Sequence, residues 1–222
     1  MNRFKPFTTN LMGSLPRTER VQEARHRYNR HELTQEEYDQ VIFDETKKLV
    51  EFQEAAGIDV ITSGEQDRDN YISFVAESVE GISMMSTDEV MAITSTEDQD
   101  AFLESLQERD AADNSMNTPI ATGKIQVNSS FVLPEMQQLR QMTDRPLKAT
   151  VPSPYLLTRN LWVKEVTGNF YANRKELAQD VVALVRQEVR KLIDFGVEVI
   201  QLDEPILSEV CFTADEASRS FY

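Results

Sequence analysis

The sequence predicts an α/β domain of parallel strands joined by helical crossovers. Two observations predict it. Short apolar, β-branched runs alternate with helical periodicities along the whole chain, the pattern of βαβ units. One unit also occurs twice. Gly57-Ile58-Asp59-Val60-Ile61-Thr62-Ser63-Gly64-Glu65 matches Gly196-Val197-Glu198-Val199-Ile200-Gln201-Leu202-Asp203-Glu204 at a constant offset. Each copy follows an amphipathic helix, opens on a helix-ending glycine and closes on a carboxylate just past the strand. A closed barrel and an open doubly wound sheet both fit this alternation.

The elements follow in order. Phe7 to Met12 reads as a short buried strand, and Gly13-Ser14-Leu15-Pro16 as its turn. Residues 17–32 read as a connecting loop or a frayed helix. Thr34 and Glu37 form a capping box, and Tyr38, Val41, Ile42, Leu49, Phe52 and Ala56 recur at helical spacing up to the stop at Gly57. Ile58 to Ile61 is a strand that exits through Thr62-Ser63-Gly64-Glu65. A shorter helix covers 70–79. Residues 82–118, rich in Ser, Thr, Asp, Asn and Met, break the rhythm and read as an insertion carrying one helix near 98–111. Lys124 to Val127 reads as a third strand, Pro134 to Met142 as a helix and Leu147 to Val151 as a fourth strand, ended by Pro152-Ser153-Pro154. Asn173 and Glu176 cap a long helix with a wide apolar face through Leu177, Val181, Val182, Leu184, Val185, Val189, Leu192 and Ile193. Gly196 closes it. Val197 to Leu202 is a fifth strand ending in Asp203-Glu204-Pro205, and Thr213 opens a further helix.

Bulk properties exclude several functions. At 40% hydrophobic and 27% charged residues the chain is globular rather than disordered. A formal net charge of −15 opposes binding to nucleic acid and to anionic membranes. No apolar run is long enough to span a bilayer, and the N-terminus lacks the apolar core of a signal peptide. The single cysteine, Cys211, forbids an internal disulfide, and a cytoplasmic location is expected. His26 and His31 share no metal-ligand spacing with it.

Parallel α/β folds bind ligands beyond the carboxyl ends of their strands. Glu65, Asp203 and Glu204 stand there, as do Gly13-Ser14. An acid in this place also serves as a helix cap. Two strand-end acids suit an ammonium group, the orientation of a base, or a metal, and spacing alone does not choose among them.

Four segments then resemble one family. Thr8-Thr9-Asn10-Leu11-Met12-Gly13-Ser14-Leu15-Pro16 is similar to the first-strand motif of the cobalamin-independent methionine synthase catalytic domain. Gly64-Glu65-Gln66-Asp67-Arg68-Asp69-Asn70 resembles its second-strand exit, Asp144 to Tyr155 its fourth-strand segment, and Gln201-Leu202-Asp203-Glu204-Pro205 its fifth-strand motif. The resemblance implies a (β/α)8 TIM barrel, here as a single partial domain over 1–222 with about five βα units and the insertion at 82–118. It implies methyl transfer to the homocysteine thiolate in methionine biosynthesis. The Met12-Gly13 backbone and the Ser14 hydroxyl would hold the amino-acid carboxylate, and Glu65 and Asp203 the ammonium. Glu204 would support them. Trp162 falls near the family's pterin-stacking tryptophan and reads as a packed aromatic. The methyl donor is left open between a folate, a corrinoid and another carrier. The family's zinc ligands, a His-x-Cys pair, a Glu and a Cys, are expected beyond residue 222, so no metal ligand or catalytic group is assigned and the fragment is expected to be inactive alone. Alternatives are a zinc-dependent transferase or lyase acting on coenzyme M thioethers, and a non-catalytic amino-acid-binding homologue.

Overall fold

The computed structural model describes residues 4–68, 72–93 and 117–205. The helices expected near 98–111 and from Thr213, together with Cys211, lie outside the described residues. Contacts divide the chain into two compact units: Met1–Asp69, Phe131–Val151 and Glu188–Gln201, and Asn70–Ser130, Pro152–Gln187 and Leu202–Tyr222.

In the first unit, α1 (Glu19–Asn29) and α2 (Gln35–Ala55) pack on each other. Val21, Ala24, Tyr38 and Ile42 form their shared core, and Tyr28 stacks on Tyr38 at 4.8 Å. Of the two readings of 17–32, a connecting loop or a frayed helix, the structure shows helix over Glu19–Asn29. Thr18 accepts a hydrogen bond from Val21 N, and this cap supplies the start signal for a segment otherwise too polar to show an apolar stripe. The Thr34–Glu37 capping box forms in both directions, and Gly57, at φ +79°, follows the end of α2. Replacing Thr34 with alanine is expected to destabilise the protein by about 1 kcal/mol, seen as a lower urea midpoint at unchanged slope.

The apolar face of α2 matches the expected one at Tyr38, Val41 and Ile42 and departs from it towards the C-terminal end. Phe52 and Ala56 face solvent, and Gln53 is buried instead. Its amide makes a two-point ladder with Thr62: Nε2 donates to Thr62 O at 2.8 Å, and Thr62 N donates to Oε1 at 3.1 Å. Pairing a strand-end backbone inside the fold outweighs burying Phe52.

The strands of this unit lie side by side in chain order, all parallel. Asn10 bridges Val60, and Ile61 bridges Leu147. Next, β3 (Lys148–Pro152) pairs with β4 (Val199–Asp203), aligned by the Val199 N to Leu147 O bond at 3.1 Å. The first strand is not the buried run expected. Among the described residues it pairs through one bridge, and Phe7 and Met12 are 97% and 82% exposed. Three short helices had no clear signal. Two of them, α6 (Pro154–Leu161) and α7 (Lys164–Thr167), follow β3, and the expected stop at Ser153 is the N-cap of α6.

Helix α5 (Leu133–Arg140) begins without a side-chain cap from its own flank. Its cap comes from α8 (Arg174–Phe195). The Glu188 carboxylate, fully buried, accepts from Val132 N and Leu133 N, both at 2.7 Å. On α8, Leu177, Val181, Leu184, Val185 and Leu192 are buried, whereas Val182 and Ile193 are exposed, so the apolar face is narrower than the sequence suggests.

The second unit holds an antiparallel pair. The short helix expected at 70–79 forms as α3 (Ser73–Ser78) and leads into β1 (Ile82–Ser86); the third of the short helices without a clear signal, α4 (Thr87–Ile93), follows, and β2 (Asn117–Ala121) pairs with β1 from Ile82↔Ala121 to Ser86↔Asn117. Val90, Ile120 and Val163 form a small core here. The strand expected at Lys124–Val127 is thus displaced to 117–121. Pro119 demotes that run in the sequence, yet a two-stranded ladder tolerates it. Residues 124–126 use their backbone otherwise. Ile125 N donates to the Tyr171 hydroxyl at 2.8 Å and Gln126 N to Glu80 O at 3.0 Å. Gly81, at φ +94°, lies so close to the Lys124 carbonyl that no side chain would fit.

Candidate functional site

The turn after Ile61 presents the first acid. Gly64 and Glu65 both adopt left-handed backbone, at φ +69° and +56°. Glycine takes this conformation freely, whereas a glutamate in it is strained, and such strain concentrates at functional positions. A side chain at Gly64 would also press on Leu15, whose side-chain atoms would stand 3.0 Å from the added Cβ.

This turn is laced to the first-strand loop. Leu15 N donates to Gly64 O at 3.0 Å, and Gln66 Nε2 donates to Leu15 O at 3.0 Å. The Ser14 hydroxyl donates to Glu65 Oε2 at 2.7 Å. Glu65 is 5% exposed, so this is a charge-assisted bond in a mostly dry place. Arg17 and Arg25 hold the turn from α1 and the loop before it. Arg17 donates to the carbonyls of Glu65, Gln66 and Arg68, and Arg25 to those of Gln66 and Asp67. Burial, then the neighbouring Arg25, lowers the Arg17 pKa from its ordinary value.

A second acid lies behind Glu65. Arg68, with a 4% exposed side chain, meets Glu135 through Nε at 2.9 Å and a terminal nitrogen at 2.8 Å. Its other terminal nitrogen stands 3.8 Å from Glu65 Oε1. Ser63 donates its hydroxyl to Glu135 and accepts Glu65 N at 3.0 Å. Glu135 therefore reaches Glu65 twice, through Arg68 to its carboxylate and through Ser63 to its backbone.

Among the expected site residues, the first unit brings Ser14 and Glu65 into contact. Gly13, at φ +65°, precedes them, and the Met12 side chain points to solvent. In the second unit, Asp203 O accepts Ser153 N at 3.0 Å, and Glu204 accepts the Ser153 hydroxyl. Ser153 in turn caps α6 through Leu156 N at 3.1 Å. Trp162, half-buried, terminates α6. His26 and His31 are exposed. Among the described residues no group of three or more His, Cys, Asp or Glu is arranged to hold a metal ion. No described helix is long and apolar enough to cross a membrane. Sequence reasoning missed Arg68, Glu135, Ser63 and Arg17. Arg68 lies inside a quoted motif, three residues past Glu65, but Glu135 reads only as a helix-start acid after Pro134.

Parallel strands in chain order, with the buried Glu65 carboxylate hydrogen-bonded to the exposed Ser14 at one strand exit, define an α/β domain with an acid standing where such folds take small polar ligands. The chain belongs to the family described as the cobalamin-independent synthase catalytic domain, whose profile matches residues 7–222. It is 27% identical over 203 residues to the 5-methyltetrahydropteroyltriglutamate–homocysteine methyltransferase of Thermotoga petrophila, an alignment covering 91% of this chain and 24% of that protein. It is 27% identical over 200 residues to the methionine synthase of Sulfolobus acidocaldarius, covering 90% of this chain and 52% of that one. The chain thus spans about a quarter to a half of these relatives. Its fold is similar to that of a B12-independent methionine synthase from Shewanella sp. W3-18-1, solved with selenomethionine, at TM-score 0.57 and 22% identity over 81% of this chain and 47% of that one. A Listeria monocytogenes protein assigned to the vitamin-B12-independent methionine synthases gives TM-score 0.65 and 20% identity over 96% and 56% of the two chains.

Proposed function

We propose that this chain supplies the amino-acid-binding part of a methyltransferase that methylates the homocysteine thiol, in the cytoplasm, within a (β/α)8 barrel. The observation that carries the reading is the Ser14–Glu65 pair, a buried carboxylate presented by strained backbone at a strand exit. The chain order of the parallel strands supports a barrel over a doubly wound sheet, whose order would reverse at a switch point.

A free amino acid needs donors for its carboxylate and acceptors for its ammonium. Glu65 is the acceptor within the first unit, and the loop of Met12, Gly13 and Ser14 offers the donors. Asp203 is assigned as a second acceptor from the family resemblance, and Glu204, tied to Ser153, as support for that strand end. Trp162 is assigned to packing. The methyl donor is taken to be the folate type named for the Thermotoga relative. Zinc, implied by the resemblance, would lower the pKa of the substrate thiol. The described residues do not form a site for it, so no step is derived through it.

Calorimetry with methionine on the full-length protein tests this reading. Glu65→Gln is expected to weaken binding about 10- to 100-fold, the worth of a buried hydrogen bond to a charged partner. Unchanged affinity in Glu65→Gln would refute the assignment.

A further inference from the structure

We infer that Glu135 is a positioning residue that keeps Glu65 available for a cationic ligand group by holding the Arg68 guanidinium away from it. The inference rests on the amino-acid-binding reading of Glu65. Arg68 and Glu65 are both buried, with side chains 4% and 6% exposed, and a full pairing between them would satisfy the very oxygens a ligand ammonium needs. The observed geometry avoids that pairing. Arg68 makes close contacts to Glu135, at 2.8 and 2.9 Å, and keeps 3.8 Å from Glu65. The terminal nitrogen that meets Glu135 at 2.8 Å also donates to Thr150 O at 3.0 Å, which fixes the guanidinium plane from β3. Ser63 adds a second restraint, because the hydroxyl that donates to Glu135 also accepts Glu65 N and steadies the left-handed turn.

Two consequences follow. Removing the Glu135 charge frees Arg68 to close on Glu65, which then competes with the ligand ammonium. Removing Arg68 as well removes the competitor. A purely structural role for Glu135 would not be relieved by a second lesion in the same cluster.

The test uses the full-length protein and two probes, methionine and 4-(methylsulfanyl)butanoate, which keeps the thioether and carboxylate but lacks the amino group. Glu135→Gln is expected to weaken methionine binding about tenfold, while the des-amino probe stays unchanged. In the double variant Glu135→Gln/Arg68→Gln, methionine affinity is expected to return to within about threefold of wild type. Should Glu135→Gln fail to fold, the double variant still decides: preference for methionine over the des-amino probe supports the inference, and loss of that preference overturns it. If Glu65→Gln weakens methionine binding but Glu135→Gln does not, this inference alone is overturned. If Glu65→Gln has no effect, the amino-acid reading fails first and takes this one with it.

Discussion

Lys148→Met is expected to destabilise the first unit by roughly 3–5 kcal/mol. Lys148 is 2% exposed, at the start of β3. Its ammonium donates to Asn10 Oδ1 at 3.1 Å, to Gln201 Oε1 at 2.9 Å and to the Leu11 carbonyl. One side chain thus ties β3 to the first-strand segment and to β4. Replacing a buried ion pair with apolar groups is often neutral when both partners go. Here methionine fills the volume but strands several acceptors that stay polar and buried. Guanidinium unfolding checks this, and a loss under about 1 kcal/mol would show that the acceptors find other donors.

Glu188→Ala is expected to cost a similar amount, roughly 3–5 kcal/mol. The change leaves the backbone N–H groups of Val132 and Leu133 without the acceptor that caps α5, and it opens a cavity where a fully buried side chain had been. Glu188→Gln separates these contributions, since it keeps the volume and one carbonyl acceptor. It should retain about half of the stability lost in alanine. Equal unfolding midpoints for Gln and Ala would assign the whole effect to charge.

Local signals are legible in the sequence. The capping box at Thr34, the Asn173 cap of α8 and the stops at Gly57 and Gly196 each depend on residues within one turn, and each formed. The strand-exit acid Glu65 was legible for the same reason, because repeated glycine–strand–acid spacing marks the ligand side of a parallel sheet. What escaped depends on distant partners. Phe52 looks like core until Gln53 pairs with Thr62. The strand at 117–121 is hidden by Pro119 and is specified by β1, across the intervening segment. Glu135 gains its meaning only when folding sets it against Arg68, far along the chain. Periodicity records which face a residue takes, whereas the partner that makes a buried charge tolerable comes from elsewhere.

The order of the parallel segments bears on how the chain is made. Val60 pairs with Asn10, Leu147 with Ile61, and Val199 with Leu147, so every segment docks on one translated earlier. A chain emerging from the ribosome never holds a strand of this unit waiting for a neighbour to its N-terminal side. Each arriving strand finds a template already exposed at the growing edge of the sheet. Slow elongation should therefore favour this unit, and synonymous codons that pause translation after residue 68 should raise its soluble yield.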